Sequence, residues 1–412
     1  MSVKFEGFDF IDGGVCAPEG FTASGVHCGL RKNHTKLDLA LIYSDVMCNT
    51  ACVYTTNKVK GAPILVTKRH VADGKAQAII ANSANANTCN IDGEEKAEKM
   101  CSLIANELNL KKSDIVVAST GVIGQILPIE PIANGVANLK KSLSKTGNND
   151  AATAILTTDT VKKEYAISFK IGDKVCKMGA TAKGSGMIHP NMATMFCFIT
   201  TDVAIDSALI QMALNSVVKD TLNMVSVDGD TSTNDMVTIL ASGKAKNPEI
   251  QNPKSEEYEI FVNALYAIMM NISREIAADG EGATKLLECT VCGAKKVECA
   301  KIVAKSVITS SLFKSAMFGE DANWGRILCA MGYAQTDFDI NLVDVWFKSS
   351  NGEAQMCKNG FGVEFDENYL KKILSAKEIK IIINLNDGDE KAVAWGCDLT
   401  YDYVKINGDY RS

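Results

Sequence analysis

A glycine loop, a proline and a threonine preceded by alanine run straight into an apolar strand at Lys183-Gly-Ser-Gly-Met-Ile-His-Pro-Asn-Met-Ala-Thr194-Met-Phe-Cys-Phe-Ile-Thr200. Gly184 and Gly186 admit backbone conformations closed to other residues. Pro190 resists a helix interior and biases His189 toward extended geometry. The stretch before Thr194 therefore reads as an irregular loop, and Met195 to Ile199 as a buried strand. If the chain cuts itself before Thr194, a nucleophile stands at the first residue of a rigid strand, where its geometry is well held. A threonine hydroxyl is a weak nucleophile by itself. The freed α-amino group, with an ordinary pKa of about 7.7–8.0, can serve as its base on the same residue. The same residues also suit ordinary loop punctuation before a strand, so local chemistry alone leaves both readings open.

Short apolar strands alternate with helical stretches elsewhere, which indicates a mixed α/β protein. Leu41 to Tyr43 and Ala51 to Tyr54 read as two early strands, and Ala78 to Ile80 as a strand entering the polar run 82–88. Helical patterns cover Glu94 to Leu108, a stretch opening at Leu127-Pro-Ile-Glu-Pro, Asp206 to Val218, and Ser255 to Ala278, the last ended by Asp279-Gly280. Beyond Leu286 the pattern resets into strand, helix (about 300–310), a helix after Asn323, and strands. This later part, from about residue 287, is expected to form a smaller second α/β domain.

Composition bounds the function. With 412 residues, 46% hydrophobic and 22% charged, the chain can bury a large core in two domains or layers. The formal net charge of −6 and the lack of a basic run with interleaved aromatics argue against nucleic acid. No apolar stretch approaches the roughly 20 residues of a membrane helix, and the first ten residues lack a signal or transit leader, so a cytoplasmic protein is expected. The 14 cysteines are scattered, as expected of reduced core residues. Cys289-Thr-Val-Cys292 has metal-site spacing but no second pair, and it reads as a strand that points the two thiols apart. Cys48 and Cys52 are compatible with one face of a helical turn, although a plain core role suits them better. The oxygen-rich run Asp228 to Asp235 lacks the spacing of a calcium loop and reads as a structured turn. No metal site is expected.

Met187-Ile-His-Pro-Asn-Met-Ala-Thr-Met195 resembles the self-processing signature of the ornithine acetyltransferase family, the bifunctional glutamate N-acetyltransferases of arginine biosynthesis. Further blocks resemble that family in its own order: Ser119-Thr-Gly-Val-Ile-Gly124, Ile155-Leu-Thr-Thr-Asp-Thr160, Ser226 to Asp235, Ala278 to Lys285, Phe318 to Ile327, and the tail Asn407-Gly-Asp-Tyr-Arg-Ser412. The resemblance spans essentially the whole chain. It implies a layered α/β/α sandwich of the self-processing N-terminal-threonine type. It also implies cleavage between Ala193 and Thr194 into chains 1–193 and 194–412, which stay associated, with two copies of each in a heterotetramer. The expected activity moves an acetyl group from N2-acetyl-L-ornithine to L-glutamate through an acetyl-Thr194 intermediate. No cofactor is implied, and whether acetyl-coenzyme A also serves as donor stays open.

The resemblance also assigns roles. Thr194 is nucleophile and, through its α-amine, base. The Thr120 side chain and Gly121 N–H form the oxyanion hole. Thr157, Lys183, Glu281, Asn407 and Ser412 contact substrate together with Thr194. Glu281 suits the cationic substrate amine, and physics does not separate Thr157 from Thr158. His189 is close in sequence to Thr194, but its pre-proline position favours a loop role over general base. Two other readings compete. One is an amidase or aminopeptidase with the same threonine chemistry, in which water meets the acyl-enzyme. The other is an uncut binding protein that keeps the fold.

Overall fold

The computed structural model describes residues 3–189 and 195–409. The larger of its two sheets has nine strands. They are β1 (Asp9–Phe10), β2 (Phe21–Val26), β3 (Leu39–Tyr54), β4 (Lys75–Asn82), β5 (Ile115–Ser119), β6 (Lys163–Ile171), β7 (Lys174–Lys183), β8 (Phe196–Thr201) and, after β9 (Val225–Ser226) of the other sheet, β10 (Met236–Ala241). Their order is β1-β6-β7-β8-β10-β3-β4-β5, with β2 also paired to β3. The helices in this half are α1 (Ala62–His70), α2 (Gly93–Leu108), α3 (Ile129–Lys141), α4 (Asn148–Ala154), α5 (Ser207–Asp220) and α6 (Glu256–Ala278).

Two early strands were expected where one long β3 is found. Ser44 to Met47 form an irregularity between the Tyr43↔Ala78 and Cys48↔Ala76 pairs. The polar residues there interrupt the apolar pattern without ending the strand. Cys48 and Cys52 accordingly lie on this strand and not on a helical turn; both are buried.

The irregular β3 lets the sheet fold across itself. Alternate residues of β3, β4 and β5 face opposite ways, as strand geometry requires. Leu41, Ile80 and Val117 pack against Ile104 of α2 and Ile132 of α3. Ile42, Ile79 and Val116 instead share a core with Phe196, Phe198 and Leu240; β8 neighbours none of β3, β4 and β5 in the ladder, and β10 pairs only with the later half of β3, from Asn49 to Tyr54. On the far side of β8 and β10, Cys197, Ile199, Val237 and Ile239 share a core with α5 and α6. The layers therefore run helix, strand, strand, helix, so the β layer of the expected sandwich is doubled.

α6 begins where Ser255 accepts the Tyr258 N–H at 3.2 Å, and α5 where Asp206 accepts the Ala208 N–H at 2.8 Å. α6 packs on β6 and β7 with one side and reaches the second sheet with another. That sheet has seven strands, β14-β13-β12-β15-β11-β16-β9. The strands not yet placed are β11 (Leu286–Ala294), β12 (Asp344–Ser349), β13 (Gly352–Lys358), β14 (Phe361–Gly362), β15 (Glu378–Asn384) and β16 (Glu390–Cys397). Val291, Ile381 and Ile383 join the same apolar cluster as Ile268 of α6. The second sheet thus recruits Val225–Ser226 from well before residue 287 and shares its core with the first. Cys289 is buried and Cys292 half-buried on β11, with Cys292 Sγ turned to the Ile383 carbonyl. Among the described residues, no helix is long and apolar enough to cross a membrane.

Phe196 and Phe198 stack with ring centroids 5.4 Å apart in the core between the two strand layers. Phe198→Ala is expected to lower unfolding free energy by about 3–5 kcal/mol in urea titrations, with the folded far-ultraviolet spectrum retained. A loss below about 1 kcal/mol would mean that the two layers do not rely on this contact.

Candidate functional site

Strand ends from both halves of the folded sheet meet around one small cavity of about 140 Å³. The ladder brings Lys183, last in β7, opposite Phe196, first in β8. Parallel pairing then puts Met236, first in β10, beside Phe196. From the other half comes Ser119, the end of β5, with Thr120 and Gly121 following it. Asn234 joins the halves. Its amide donates to the carbonyls of Ala86 (2.6 Å) and Ser119 (2.8 Å), and its oxygen accepts from Thr88 and Thr233, both at 2.6 Å.

The cavity lining includes Thr120, Gly121, Thr157, Lys183, Glu281 and Asn407. These are six of the site residues expected from sequence, drawn from positions 120 to 407. Thr158 lines it as well, so position does not choose between the two threonines. Met195, the residue after Thr194, is also in the wall. Ala193, Thr194 and Ser412 lie outside the described residues.

Gly121 has φ of +132°, a conformation that disfavours side chains, and a Cβ there would overlap the Ala84 carbonyl. Only glycine lets this turn lie so close to the 84–88 loop. A Cβ on Gly186 would run into the Glu281 carboxylate. Glu281 is further fixed by its N–H, bonded to the Ser185 carbonyl at 3.1 Å, and by Asn407, whose amide donates to Oε2 at 2.7 Å. Asn407 belongs to α11 (Tyr401–Asp409), a helix with no buried residue that follows α7 (Val297–Thr309), α8 (Ser311–Phe318), α9 (Trp324–Gly332) and α10 (Glu367–Leu374). Thr400, donating to the Gly282 carbonyl at 2.7 Å, and an edge-on Phe318–Tyr401 contact at 5.6 Å hold α11 against the site.

Lys183 is nearly buried and donates to the Thr120 hydroxyl at 3.3 Å. Burial lowers its pKa, against the opposing pull of Asp159, Asp235 and Glu281. Asp235 is 2% exposed, and among the described residues its Oδ2 has no hydrogen-bond partner. Burial pushes its carboxyl well above the ordinary value, outweighing hydrogen bonds from Ser232 and Thr55 and the nearby Lys183 charge. The cavity therefore carries one cation and two acids in surroundings where each charge counts for more than in water.

Sequence reasoning missed the groups beneath this wall. Lys163, fully buried, donates to Asp159 Oδ1 at 2.8 Å and to Asp279 Oδ2 at 2.6 Å. Asp159 also accepts the N–H of Gly184 (2.7 Å) and of Thr157 (3.1 Å). Asp279 accepts the N–H and hydroxyl of Thr160. Burial alone would raise the Asp159 pKa, but Lys163, Lys183 and the Gly184 N–H together hold it at about 2. The four-residue spacing of Asp159 and Lys163 was the visible signal. Their partner Asp279 lies more than a hundred residues away.

His189 bonds through Nδ1 to the Ser226 hydroxyl at 3.0 Å and accepts the Thr231 hydroxyl on its carbonyl at 2.8 Å. Burial, then the Lys305 charge, lowers its pKa to about 4, so it is neutral near pH 7. Asp228 accepts the N–H of Met187 (2.6 Å) and Ile188 (2.9 Å), which makes the oxygen-rich run a loop clamp. Among the described residues no group of three or more His, Cys, Asp or Glu could hold a metal ion.

A doubled strand layer flanked by helices, with a small charged cavity at its strand ends, defines a pocket enzyme for a small polar substrate. The chain belongs to the ArgJ family, whose profile matches residues 22–412. It is 47% identical to the Arginine biosynthesis bifunctional protein ArgJ of Caldanaerobacter subterraneus subsp. tengcongensis, over 98% of this chain and 100% of that protein. It is 50% identical to the Arginine biosynthesis bifunctional protein ArgJ 1 of Clostridium acetobutylicum, over 95% of this chain and 96% of that one. A crystal structure of Arginine biosynthesis bifunctional protein argJ from Bacillus halodurans is 42% identical, covers 52% of this chain and 98% of its own, and gives a TM-score of 0.48.

Lys163→Met leaves two buried carboxylates without their cation. At pH 7 the variant is expected to lose about 3–5 kcal/mol of stability. In the wild type the low Asp159 pKa contributes stability that is full above the ordinary carboxylate range and lost as pH falls toward 2. Without the cation that contribution is gone, so the gap between the two proteins is expected to narrow from pH 7 to pH 3 in urea titrations. A gap independent of pH would show that Lys163 acts through packing alone.

Proposed function

We propose that this chain is a self-processing acetyltransferase of arginine biosynthesis, moving acetyl from N2-acetyl-L-ornithine to L-glutamate through Thr194. The observation that carries the reading is the meeting of Thr120, Gly121, Thr157, Lys183, Glu281 and Asn407 around one cavity whose wall includes Met195. Membership of a family whose curated relatives carry the name arginine biosynthesis bifunctional protein supports it.

In this reading the peptide link between Ala193 and Thr194 opens, giving chains 1–193 and 194–412. β7 and β8, one from each chain, are paired from Met178↔Thr201 to Lys183↔Phe196, which would keep the two together after the cut. The Thr194 hydroxyl attacks the acetyl carbonyl while its α-amine takes the proton. The Gly121 N–H and Thr120 hydroxyl stabilise the oxyanion, and the proton returns to the departing ornithine amine. Glutamate then attacks the acetyl-threonine with its own amine.

Glu281, held by Asn407 and facing Gly186, receives the cationic end of ornithine. Lys183 attracts the substrate carboxylate and, beside Thr120, steadies charge developing at the carbonyl. Thr157 and Ser412 complete the substrate contacts. Acetylornithine is the donor in this reading, acetyl-coenzyme A is a second candidate, and no other cofactor is needed. The protein acts in the cytoplasm as a heterotetramer of two chains of each kind.

Two measurements test the reading. Thr194→Ala is expected to migrate as one uncut chain on a denaturing gel and to transfer no acetyl, whereas the wild type gives two chains. Turnover by that variant would exclude Thr194 as nucleophile. Gly186→Ala pushes against the movable end of Glu281, so the fold is expected to persist while KM for acetylornithine rises about tenfold, equivalent to 1.4 kcal/mol. An unchanged KM would remove Glu281 from the amine site.

A further inference from the structure

We propose that the buried apolar wall of the catalytic cavity, made by Ala86, Met195 and Phe196, seats the methyl end of the transferred acyl group, and that Ala86 limits that group to acetyl. The proposal rests on the acyl-transfer reading above and adds what selects the acyl group.

The apolar residues of the cavity fall into two sets. Ile123 and Met187 line it with 38% and 42% of their surface exposed, so they form its rim. Ala86, Met195 and Phe196 line it at 3%, 3% and 2% exposure, so they belong to its depth. An acylated amino acid carries its charges on the amino-acid part and a methyl on the acyl part. In the reading above Glu281 and Lys183 take the charges. Burial of apolar surface then favours the methyl on the deep wall.

Asn234 also lines the cavity but makes no polar demand on a ligand. Its amide gives its hydrogens to the Ala86 and Ser119 carbonyls, and its oxygen accepts from Thr88 and Thr233. Both donors and both lone pairs are thereby spent. The wall around Ala86 is apolar in effect, although an amide forms part of it.

The oxyanion turn places this wall beside the acyl group. The acyl methyl is bonded to the same carbon as the oxygen that Thr120 and Gly121 receive, so it lies next to their turn. Gly121 packs on Ala84 and Asn85. Val122, the next residue of the turn, accepts the Ala86 N–H at 2.9 Å and donates its own to the Ala84 carbonyl at 3.1 Å. The Ala86 carbonyl is taken by Asn234 at 2.6 Å. Both polar backbone groups of Ala86 are thus turned to neighbours, and what it offers the cavity is its methyl. Pinned at both ends, Ala86 cannot draw back for a longer acyl chain without breaking a buried bond. A close-packed wall of this kind responds to a single methylene.

The test is steady-state kinetics of the processed enzyme, with glutamate as acceptor and N-acetyl-, N-propionyl- or N-formylornithine as donor. The wild type is expected to favour acetyl over propionyl by roughly 10–200-fold in kcat/KM, the range one methylene commands in an apolar pocket. Ala86→Gly removes the limiting methyl, and the propionyl-to-acetyl ratio is expected to rise about tenfold. Ala86→Ser fills the space instead, and the formyl-to-acetyl ratio is expected to rise about tenfold. Ile123→Ala, at the rim, is expected to leave both ratios unchanged. Processing into two chains on a denaturing gel shows that each variant folds, and Ala86→Ser decides the matter if Ala86→Gly stays uncut. Ratios that the processed Ala86 variants do not move would overturn the assignment, while acetyl transfer by the same enzyme keeps the acyl-transfer reading. An equal rise in Ile123→Ala would put the acyl group at the rim and overturn the assignment too. So would a wild type that uses propionylornithine as well as acetylornithine. A wild type that transfers no acyl group at all would instead defeat the acyl-transfer reading, and this assignment with it.

Discussion

The bond from Lys163 to two buried carboxylates is the constraint on which the site depends. Lys163 opens β6, Asp159 lies in the loop before it, and Asp279 caps the region where α6 ends. Each acid then holds backbone of its own: Asp159 takes Gly184 and Thr157, and Asp279 takes Thr160. Every wall that carries a polar candidate residue from these three segments is therefore referenced to one ammonium group. A buried ion pair costs desolvation and is seldom a net source of stability against an apolar alternative. Here an apolar triad would lack the directional bonds that set Thr157 and Glu281 relative to Lys183. Its value lies in register.

A second tie works across the fold. Asn234 uses its amide and its oxygen on partners from the 84–88 loop and the end of β5, and it lies two residues before β10, which runs parallel to β8. Elsewhere the doubled strand layer meets largely through apolar side chains, with Phe198 and Ile79 in one cluster, which resist separation but tolerate small slips. A fully satisfied buried amide tolerates little slip, since each displaced bond leaves an unmet polar group. The oxyanion turn and the start of β8 are therefore fixed to each other by hydrogen bonds, although they come from opposite halves of the sheet.

Much of this was legible in the sequence, and for identifiable reasons. The apolar run after Thr194, the α5 and α6 helices with their Asp206 and Ser255 caps, and β4 entering the polar 82–88 run each announce themselves locally, through periodicity or a capping residue. The gathering of Thr120, Lys183, Glu281 and Asn407 was reached through family resemblance, because nothing local relates positions so far apart. What was missed is what locality hides. β3 looked like two strands because Ser44 to Met47 break the alternation, yet that break is what allows the sheet to fold over. Asp279 looked like a helix terminator, and its partnership with Lys163 exists only in three dimensions. Asp235 looked like one acid in a polar run; its burial and unpaired oxygen follow from its position at the mouth of β10.

The electrostatics of the cavity explain why the site is built from opposed charges and not from one sign. A buried lysine alone would shed its proton, and a buried carboxyl alone would gain one. Lys183 is pulled back toward the charged form by three acids, while Asp235 is driven toward the neutral form despite Lys183. The difference lies in access to partners. Asp159 has the Lys163 ammonium and backbone N–H groups as well, and its pKa stays near 2; Asp235 has hydroxyls and an orphan oxygen. Asp159 is thus held as an anion behind the wall, while burial shifts Asp235, in the cavity lining, toward its neutral form.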